Sequence, residues 1–216
     1  MKIAVLHATA NAVRPLEDAL RAVEPTVQIV NFVQEELLRR ANEVGGVDPK
    51  GLRSFLRMAA SAADAQPDGV IIACSLYCPY ADWVRQMCDS PVIAVDQPMI
   101  DRALAQGGKI GVLATTAASA PSAVKKLEKA ANGKSFEVET AVSTEAMTAL
   151  KQGDEARHNA LLLDAAKELV DRGCQVLLLS QITMACAADT LKALPALVLS
   201  SPQTGAEEII RLIREE

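Results

Sequence analysis

Apolar positions along the chain fall into short continuous runs separated by amphipathic stretches. Lys2–His7 is dense in Ile, Val and Leu, and helical spacing follows it around Val13–Val23. Val27–Phe32 reads as a second strand. Leu52–Ala65 carries the period of an amphipathic helix closed by Pro67-Asp68-Gly69, and Gly69–Ala73 is apolar at every position. A short helix is predicted around Ala81–Met87 and a strand over Pro91–Val95. The order then begins again. Lys109–Ala114, Phe136–Ala141, Gln175–Leu179 and Ala196–Leu199 read as strands, with helices over Ser119–Ala131 and Ala156–Arg172 between them and Thr204–Glu216 closing the chain. Strands that are apolar at consecutive positions and separated by helices predict α/β architecture, with parallel sheets covered on both faces.

The second half repeats the first. Lys2-Ile3-Ala4-Val5-Leu6 resembles Lys109-Ile110-Gly111-Val112-Leu113, an offset of 107 residues. The same offset carries Val70-Ile71-Ile72 onto Leu177-Leu178-Leu179 and Cys74 onto Gln181. A repeat this long predicts two similar lobes rather than a solenoid, whose units run roughly 20–50 residues. The predicted division is residues 1–97 with 203–216 as the first lobe and 98–202 as the second, the last helix packing back on the first lobe.

Composition narrows the function classes. The 216 residues are 50% apolar and 23% charged, ordinary globular material with room for a real core. Net charge is −5 and aromatic residues are 3%, so neither the basic stripe nor the stacking platform of a nucleic-acid binder is present. Arg39-Arg40 and Lys125-Lys126 read as solvated helix faces. No apolar run approaches the ~20 residues of a membrane helix. The N-terminus turns polar too soon for a secretory signal, which points to the cytoplasm. The cysteines, Cys74, Cys78, Cys88, Cys174 and Cys186, are odd in number and lack Cys-x-x-Cys spacing, and only two histidines accompany them. A disulfide framework and a zinc site are both disfavoured.

Ligands of parallel α/β sheets bind outside the carboxyl ends of the strands. Those ends here carry His7, Thr9 and Asn11 after the first strand and Cys74 with Ser75 after the third. In the second half they carry Thr115, Thr116 and Ser119, then Ser180, Gln181 and Thr183. Apart from Asp96 they lack carboxylates and lysines. Hydroxyls and free N–H groups at helix starts suit an anionic ligand such as a carboxylate. No Gly-x-x-x-x-Gly-Lys-Ser/Thr loop and no Gly-x-Gly-x-x-Gly follows a strand, which argues against a nucleotide.

The paired lobes, the strand ending in Ala73-Cys74-Ser75, the segment Gly111-Val112-Leu113-Ala114-Thr115-Thr116 and the ending Ser200-Ser201-Pro202 resemble the aspartate/glutamate racemase superfamily, over nearly the whole chain. The resemblance implies two pseudo-symmetric, doubly wound, flavodoxin-like lobes with the active site in the cleft between them. It implies a cofactor-independent isomerase or racemase acting at a carbon next to a carboxylate, with no metal, pyridoxal phosphate or flavin. In that family one cysteine from each lobe exchanges a proton with the substrate carbon. Cys74 falls where the first belongs, and Gln181 stands where the second belongs. An amide neither takes nor gives a proton near neutral pH, so ordinary two-thiol racemisation is in doubt. A lyase or decarboxylase, or a small-carboxylate-binding protein that has lost turnover, is the alternative.

Cys74 is the expected acid/base or nucleophile. A free thiol has a pKa of about 8.5, which a helix N-terminus lowers. Cys78, Cys88 and Cys174 read as structural, and Cys186 is the one other thiol placed to substitute for the missing partner. His7 is a candidate acid/base or a loop hydrogen-bonder, His158 a surface or packing residue. Thr9, Asn11, Ser75, Thr115, Thr116, Ser119 and Thr183 are candidate substrate contacts, although caps and turns use the same chemistry. Tyr77, Tyr80 and Trp83 wall an apolar pocket or pack a short helix on the sheet. The expected partner is a small carboxylate-bearing substrate, with no nucleic acid and no membrane. A homo-oligomer, dimer or higher, is left open.

Overall fold

The computed structural model describes residues 1–215. They divide into two compact units, Met1–Pro98 with Pro202 onward, and Met99–Ser201. The first unit runs β1 (Lys2–His7), α1 (Val13–Val23), β2 (Gln28–Val33), α2 (Glu36–Val44), α3 (Pro49–Asp64), β3 (Gly69–Ile72), α4 (Ala81–Arg85) and β4 (Val92–Ala94). Its sheet is wholly parallel, in the order β2-β1-β3-β4, with Leu6 opposite both Phe32 and Ile72. After α5 (Gln97–Gln106) the second unit follows as β5 (Lys109–Ala114), α6 (Ser119–Ala131), β6 (Glu137–Val142), α7 (Thr144–Lys151), α8 (Glu155–Asp171), β7 (Val176–Leu179), α9 (Ala188–Leu191) and β8 (Leu197–Ser200). Its sheet has the matching order β6-β5-β7-β8, again parallel. The closing helix is α10 (Ser201–Glu215).

The units exchange their last helices. α5 follows β4 in the chain, yet Met99, Ile100 and Ala103 join the second unit's core with Ile110, Val112, Val176 and Leu178. α10 follows β8 and packs on the first unit's sheet. There Gly69 is required, because a Cβ on it would lie 2.8 Å from Ile213 Cδ1 and 2.9 Å from Ile209 Cδ1. An ion pair from Arg214 to Glu24 at the end of α1, 2.8 Å long, sits on the same side of the sheet.

Four helices absent from the apolar pattern are α2, α5, α7 and the four-residue α9. α2 buries only Leu37 and Ala41, and its other positions are mostly charged, so its apolar stripe is too thin to read. α3 begins at Pro49 rather than at Leu52. Asp48 caps it by accepting from Gly51 N at 2.9 Å, with Pro49 in the first turn where its missing N–H costs nothing. A salt bridge from Arg40 holds that carboxylate well below the usual range. The remaining strand and helix ends differ from the sequence reading by a few residues at most, the variation expected where ends fray. No helix among the described residues is long and apolar enough to cross a membrane.

Candidate functional site

In the first unit the candidate residues collect where β1 and β3 end side by side. Ala73 N donates to Leu6 O at 2.9 Å, so the backbone leading into Cys74 still pairs with β1 just before His7. Cys74 then leaves the sheet, and its carbonyl accepts from Tyr77 N (2.9 Å) and Cys78 N (3.0 Å) in a tight turn. The chain continues through a three-residue 3-10 turn, Cys78–Tyr80, into the five-residue α4. The helix that follows Cys74 is short, as the sequence reading expected, and carries little dipole. Cys74 is half-buried and Ser75 exposed.

The other four thiols are restrained. Cys78 is buried and its sulfur donates to Ile72 O at 3.6 Å. Burial pushes the thiols of Cys88, Cys174 and Cys186 upward. Cys186 also points its sulfur at Thr183 O, 3.4 Å away. Cys88 borders a hollow of about 360 Å³ formed with Pro67, Asp68, Met87, Ser90 and Ile213. That hollow lies before β3 and β4, at their amino ends, away from Cys74. None of the five cysteines forms a disulfide.

His7 is fully buried. Its Nε2 lies 3.0 Å from Asn31 Oδ1, and Asn31 Nδ2 donates to Glu17 Oε1 at 2.6 Å. A carboxylate only accepts, so Glu17 turns the amide nitrogen of Asn31 toward itself and the amide oxygen toward His7. The ring then donates through Nε2–H and is the neutral tautomer, with an enclosed and unpartnered Nδ1. Burial lowers its pKa, against the opposing pull of Asn31 and Glu17. Glu17 and Asn31 escaped the sequence reading, although a polar Asn31 inside the strand run Gln28–Val33 was a visible signal. Glu35 escaped as well. The strand ends carry this carboxylate in addition to Asp96, and its Oε1 accepts from Ala10 N at 3.2 Å. Thr9 caps its turn, its hydroxyl oxygen accepting from Asn11 N at 3.4 Å, while Asn11 is exposed.

Tyr77 is buried beneath this end, stacked on Phe55 with ring centroids 4.6 Å apart. Trp83 stands outward at 53% exposure, edge-on to Tyr80 with ring centroids 6.4 Å apart.

In the second unit Gln181 Oε1 accepts from both Thr115 N and Thr115 Oγ1, at 2.8 Å each. Thr116 and Ser119 share a hydroxyl–hydroxyl hydrogen bond where α6 begins. Thr183 lies in the 3-10 segment Ile182–Ala187 that comes after Gln181. Ser180 Oγ is enclosed without a partner. His158 is a packing residue, fully buried with Nδ1 2.8 Å from Ala146 O, and so bridges α8 to α7.

Residues 3–209 match the family model for Asp/Glu/hydantoin racemases. The chain belongs to the Asp/Glu/hydantoin racemase family. That membership makes it an enzyme of the isomerase/racemase type. No curated protein matches it in sequence. Among solved structures it resembles an allantoin racemase from Klebsiella pneumoniae, with a TM-score of 0.76 at 15% identity, covering 100% of this chain and 88% of that one. An aspartate racemase homologue from Pyrococcus horikoshii gives 0.73 at 16% identity, covering 99% of each chain. A glutamate racemase from Bacillus anthracis gives 0.69 at 19% identity, covering 99% of this chain and 81% of that one. At such identities the likeness is one of fold, which this racemase-family chain shares along its whole length.

Proposed function

We propose that this racemase-family enzyme moves a proton at a carbon next to a carboxylate or carbonyl group of a small acid, with Cys74 as the group that takes and returns it. One observation carries the reading. Cys74 is the thiol that sits where β3 leaves the sheet at its carboxyl end, whereas Cys88 lies near the amino ends of the strands and Cys78 and Cys174 are buried. A thiolate at that place removes the carbon-bound proton, and the electron pair passes into the adjacent carbonyl. Buried and neutral, His7 supports the strand end from beneath. Thr9, Asn11 and Ser75 are the polar side chains beside it that a small acid would meet first.

The reaction requires no metal, nucleotide, flavin or pyridoxal phosphate in this reading. Five cysteines without a disulfide among them fit a reducing compartment, and the protein is assigned to the cytoplasm. Aspartate, glutamate and allantoin, the substrates named for its structural neighbours, are the compounds to try first. Each is incubated with the protein in deuterated water and followed by proton NMR. Loss of the α-hydrogen signal with the wild type and its persistence with Cys74→Ser is the expected result. Exchange undiminished in Cys74→Ser would remove the thiol from the mechanism, and loss of activity on chelation, restored by zinc, would remove cofactor independence.

A second reading has its own observation. Gln181 stands at the position the repeat makes equivalent to Cys74, which favours a lyase, or a binder without turnover, over a two-thiol racemase. The same incubation separates these: a lyase releases a new product, and a binder exchanges nothing.

A further inference from the structure

We propose that Cys74 and Cys78 are a reversible redox pair: a hydroperoxide oxidises Cys74, and Cys78 closes a disulfide with it that takes the thiol out of proton transfer. The loss of proton transfer rests on the role given to Cys74 above. The pairing of the two thiols does not.

One tight turn holds both residues. Cys78 N donates to Cys74 O at 3.0 Å and Tyr77 N donates to the same oxygen at 2.9 Å. A backbone bond from residue i+4 to residue i sets the two Cα atoms roughly 6 Å apart. Disulfides span Cα separations of about 4.4–6.8 Å, so the bond closes without moving the strand. The Cys78 sulfur is turned back toward the strand that Cys74 leaves, since it donates to Ile72 O, two residues before Cys74, at 3.6 Å. A thiol is a weak donor, and rotating it away from that carbonyl costs little. Tyr77, stacked on Phe55, pins the turn from below, while Ser75 and Leu76 are exposed. Cys88, the third thiol of this unit, borders the hollow at the amino ends of the strands.

The repeat shows that the turn does not need its thiols. The offset of 107 carries Cys74, Tyr77 and Cys78 onto Gln181, Met184 and Ala185. Met184 N donates to Gln181 O at 3.0 Å, the counterpart of the bond from Tyr77. The same backbone bond therefore forms with an amide and a methyl group at the two thiol positions. The thiols occur as a pair in one unit and are absent as a pair from the other.

Exposure sets the order of events. Cys74 is half-buried and Cys78 only 8% exposed, so the oxidant meets Cys74 first. The Cys74 thiolate attacks one oxygen of hydrogen peroxide. An S–O bond forms, the O–O bond breaks and hydroxide leaves, so sulfur is oxidised to a sulfenic acid and peroxide is reduced. The Cys78 sulfur then attacks the sulfenyl sulfur. The S–S bond forms, the S–O bond breaks, and the oxygen departs as water with the Cys78 proton. Two thiols and one peroxide give one disulfide and two waters. A bond closing so short a loop constrains the unfolded chain little and is open to reduction by a small thiol.

The test uses the full chain, reduced and then exposed to hydrogen peroxide at neutral pH, blocked with N-ethylmaleimide and digested with trypsin. Cleavage after Arg57 and Arg85 yields a peptide, residues 58–85, that holds Cys74 and Cys78 and no other cysteine. In the wild type it should lose two hydrogens and take up no maleimide, and dithiothreitol should restore both thiols. In Cys78→Ser, and in Cys78→Ala, which installs the residue of the second unit, Cys74 should instead be trapped by dimedone as the sulfenic acid. With more peroxide it should pass to the sulfinic acid, which dithiothreitol does not reverse. Melting temperatures confirm that the variants are folded, and either variant suffices. Alpha-hydrogen exchange on aspartate, glutamate or allantoin should be lost on oxidation and regained with dithiothreitol in the wild type, and lost without recovery in the variants. A 58–85 peptide that keeps both thiols while Cys74 is oxidised elsewhere, or a disulfide from Cys74 to any cysteine but Cys78, overturns the pairing. If the disulfide forms and exchange continues, the pairing stands and the proton-transfer role of Cys74 falls. The peptide decides the pairing by itself if none of the three compounds exchanges.

Discussion

The two units share strand order, direction and element sequence, yet they differ at the ends of their strands. The offset of 107 carries Pro49–Asp64 onto residues 156–171, against the observed Glu155–Asp171, and β1 onto β5 without a shift. Their cores solve the same packing problem with different residues. Ala4 and Ala62, both fully buried, correspond to Gly111 and Leu169, where a Cβ on the glycine would stand 3.0 Å from Leu169 Cδ1. Gly69, under α10, corresponds to Val176. The repeated core preserves the order of elements and not residue identity, with the large side chain carried by a different element in each unit. The strand ends are free of that constraint, and there the units diverge: thiol and buried imidazole in the first, amide and hydroxyls in the second.

The sharpest break in this comparison is at the thiol. Cys74→Ser exchanges one atom and should leave the melting temperature nearly unchanged, while α-hydrogen exchange falls by about 10²–10⁴-fold, the usual worth of a positioned proton-transfer group. Retained exchange would return the two units to chemical equivalence. Iodoacetamide labelling mapped by mass spectrometry sharpens the same point without a substrate. Cys74 should react first, and Cys186, Cys174 and Cys88 more slowly at neutral pH, because a raised pKa leaves less thiolate. Their labelling should catch up as pH rises. Prior labelling of Cys186 would move the reactive thiol to the second unit.

Exchanging core residues between the units tests the packing half of the comparison. Gly69→Val gives β3 the residue of β7, and Gly111→Ala gives β5 the residue of β1. Each should destabilise by about 1–3 kcal/mol, since neither unit holds the space the other provides. Thermal unfolding reads this as a drop of roughly 2–4 °C per kcal/mol for a chain of this size. Gly69→Val should cost more than Gly111→Ala, because it adds two further methyl groups under the side chains of Ile209 and Ile213. A neutral result for both would mean that the repeat tolerates exchange, and that the complementary residues are incidental.

The sequence displayed the fold where burial is continuous. β1, β3, β5 and β7 are buried along nearly all their length, so their apolar runs stood out. α2 and α7 cover little of the core, and α5 contributes to the unit after it, so their short apolar stripes had no local partner to reveal them. At the candidate site the residue types were legible and their pairings were not. Cys74 and Gln181 were found from the repeat, but the bond from Thr115 to Gln181 spans 66 positions and depends on the pairing of β5 with β7. Glu17, Asn31 and His7 likewise come from three different elements, and only the β1–β2 register brings them together. The short helix after Cys74 was legible in the sequence, and Pro79 with the tight turn divides that stretch into a 3-10 turn and the five-residue α4.

The smallest expected effect concerns the two histidines, one in each unit and both fully buried. Their partners fix opposite tautomers. Asn31, oriented by Glu17, accepts from His7 Nε2–H, whereas the carbonyl of Ala146 accepts from His158 Nδ1–H. Long-range ¹H–¹⁵N spectra of histidine-labelled protein, assigned with His7→Gln and His158→Gln, should show one ring of each kind at neutral pH. Two rings of the same tautomer would refute the Glu17–Asn31–His7 orientation. A pH dependence is expected for His7. Burial lowers its folded-state pKa below the reference value of 6.5. Below about pH 6.5 the unfolded chain takes up a proton that the folded chain refuses, so the unfolded state binds more protons and stability falls as pH drops. The contribution is fully present above that value and is lost progressively toward the lower folded-state pKa. The stability difference between wild type and His7→Gln, measured by urea unfolding, should therefore be flat above about pH 7 and shift against the wild type below it. A difference that stays constant down to about pH 5 would show that the ring is as easily protonated in the folded chain as in the unfolded one. In that case Glu17 would be offsetting the cost of burial through Asn31.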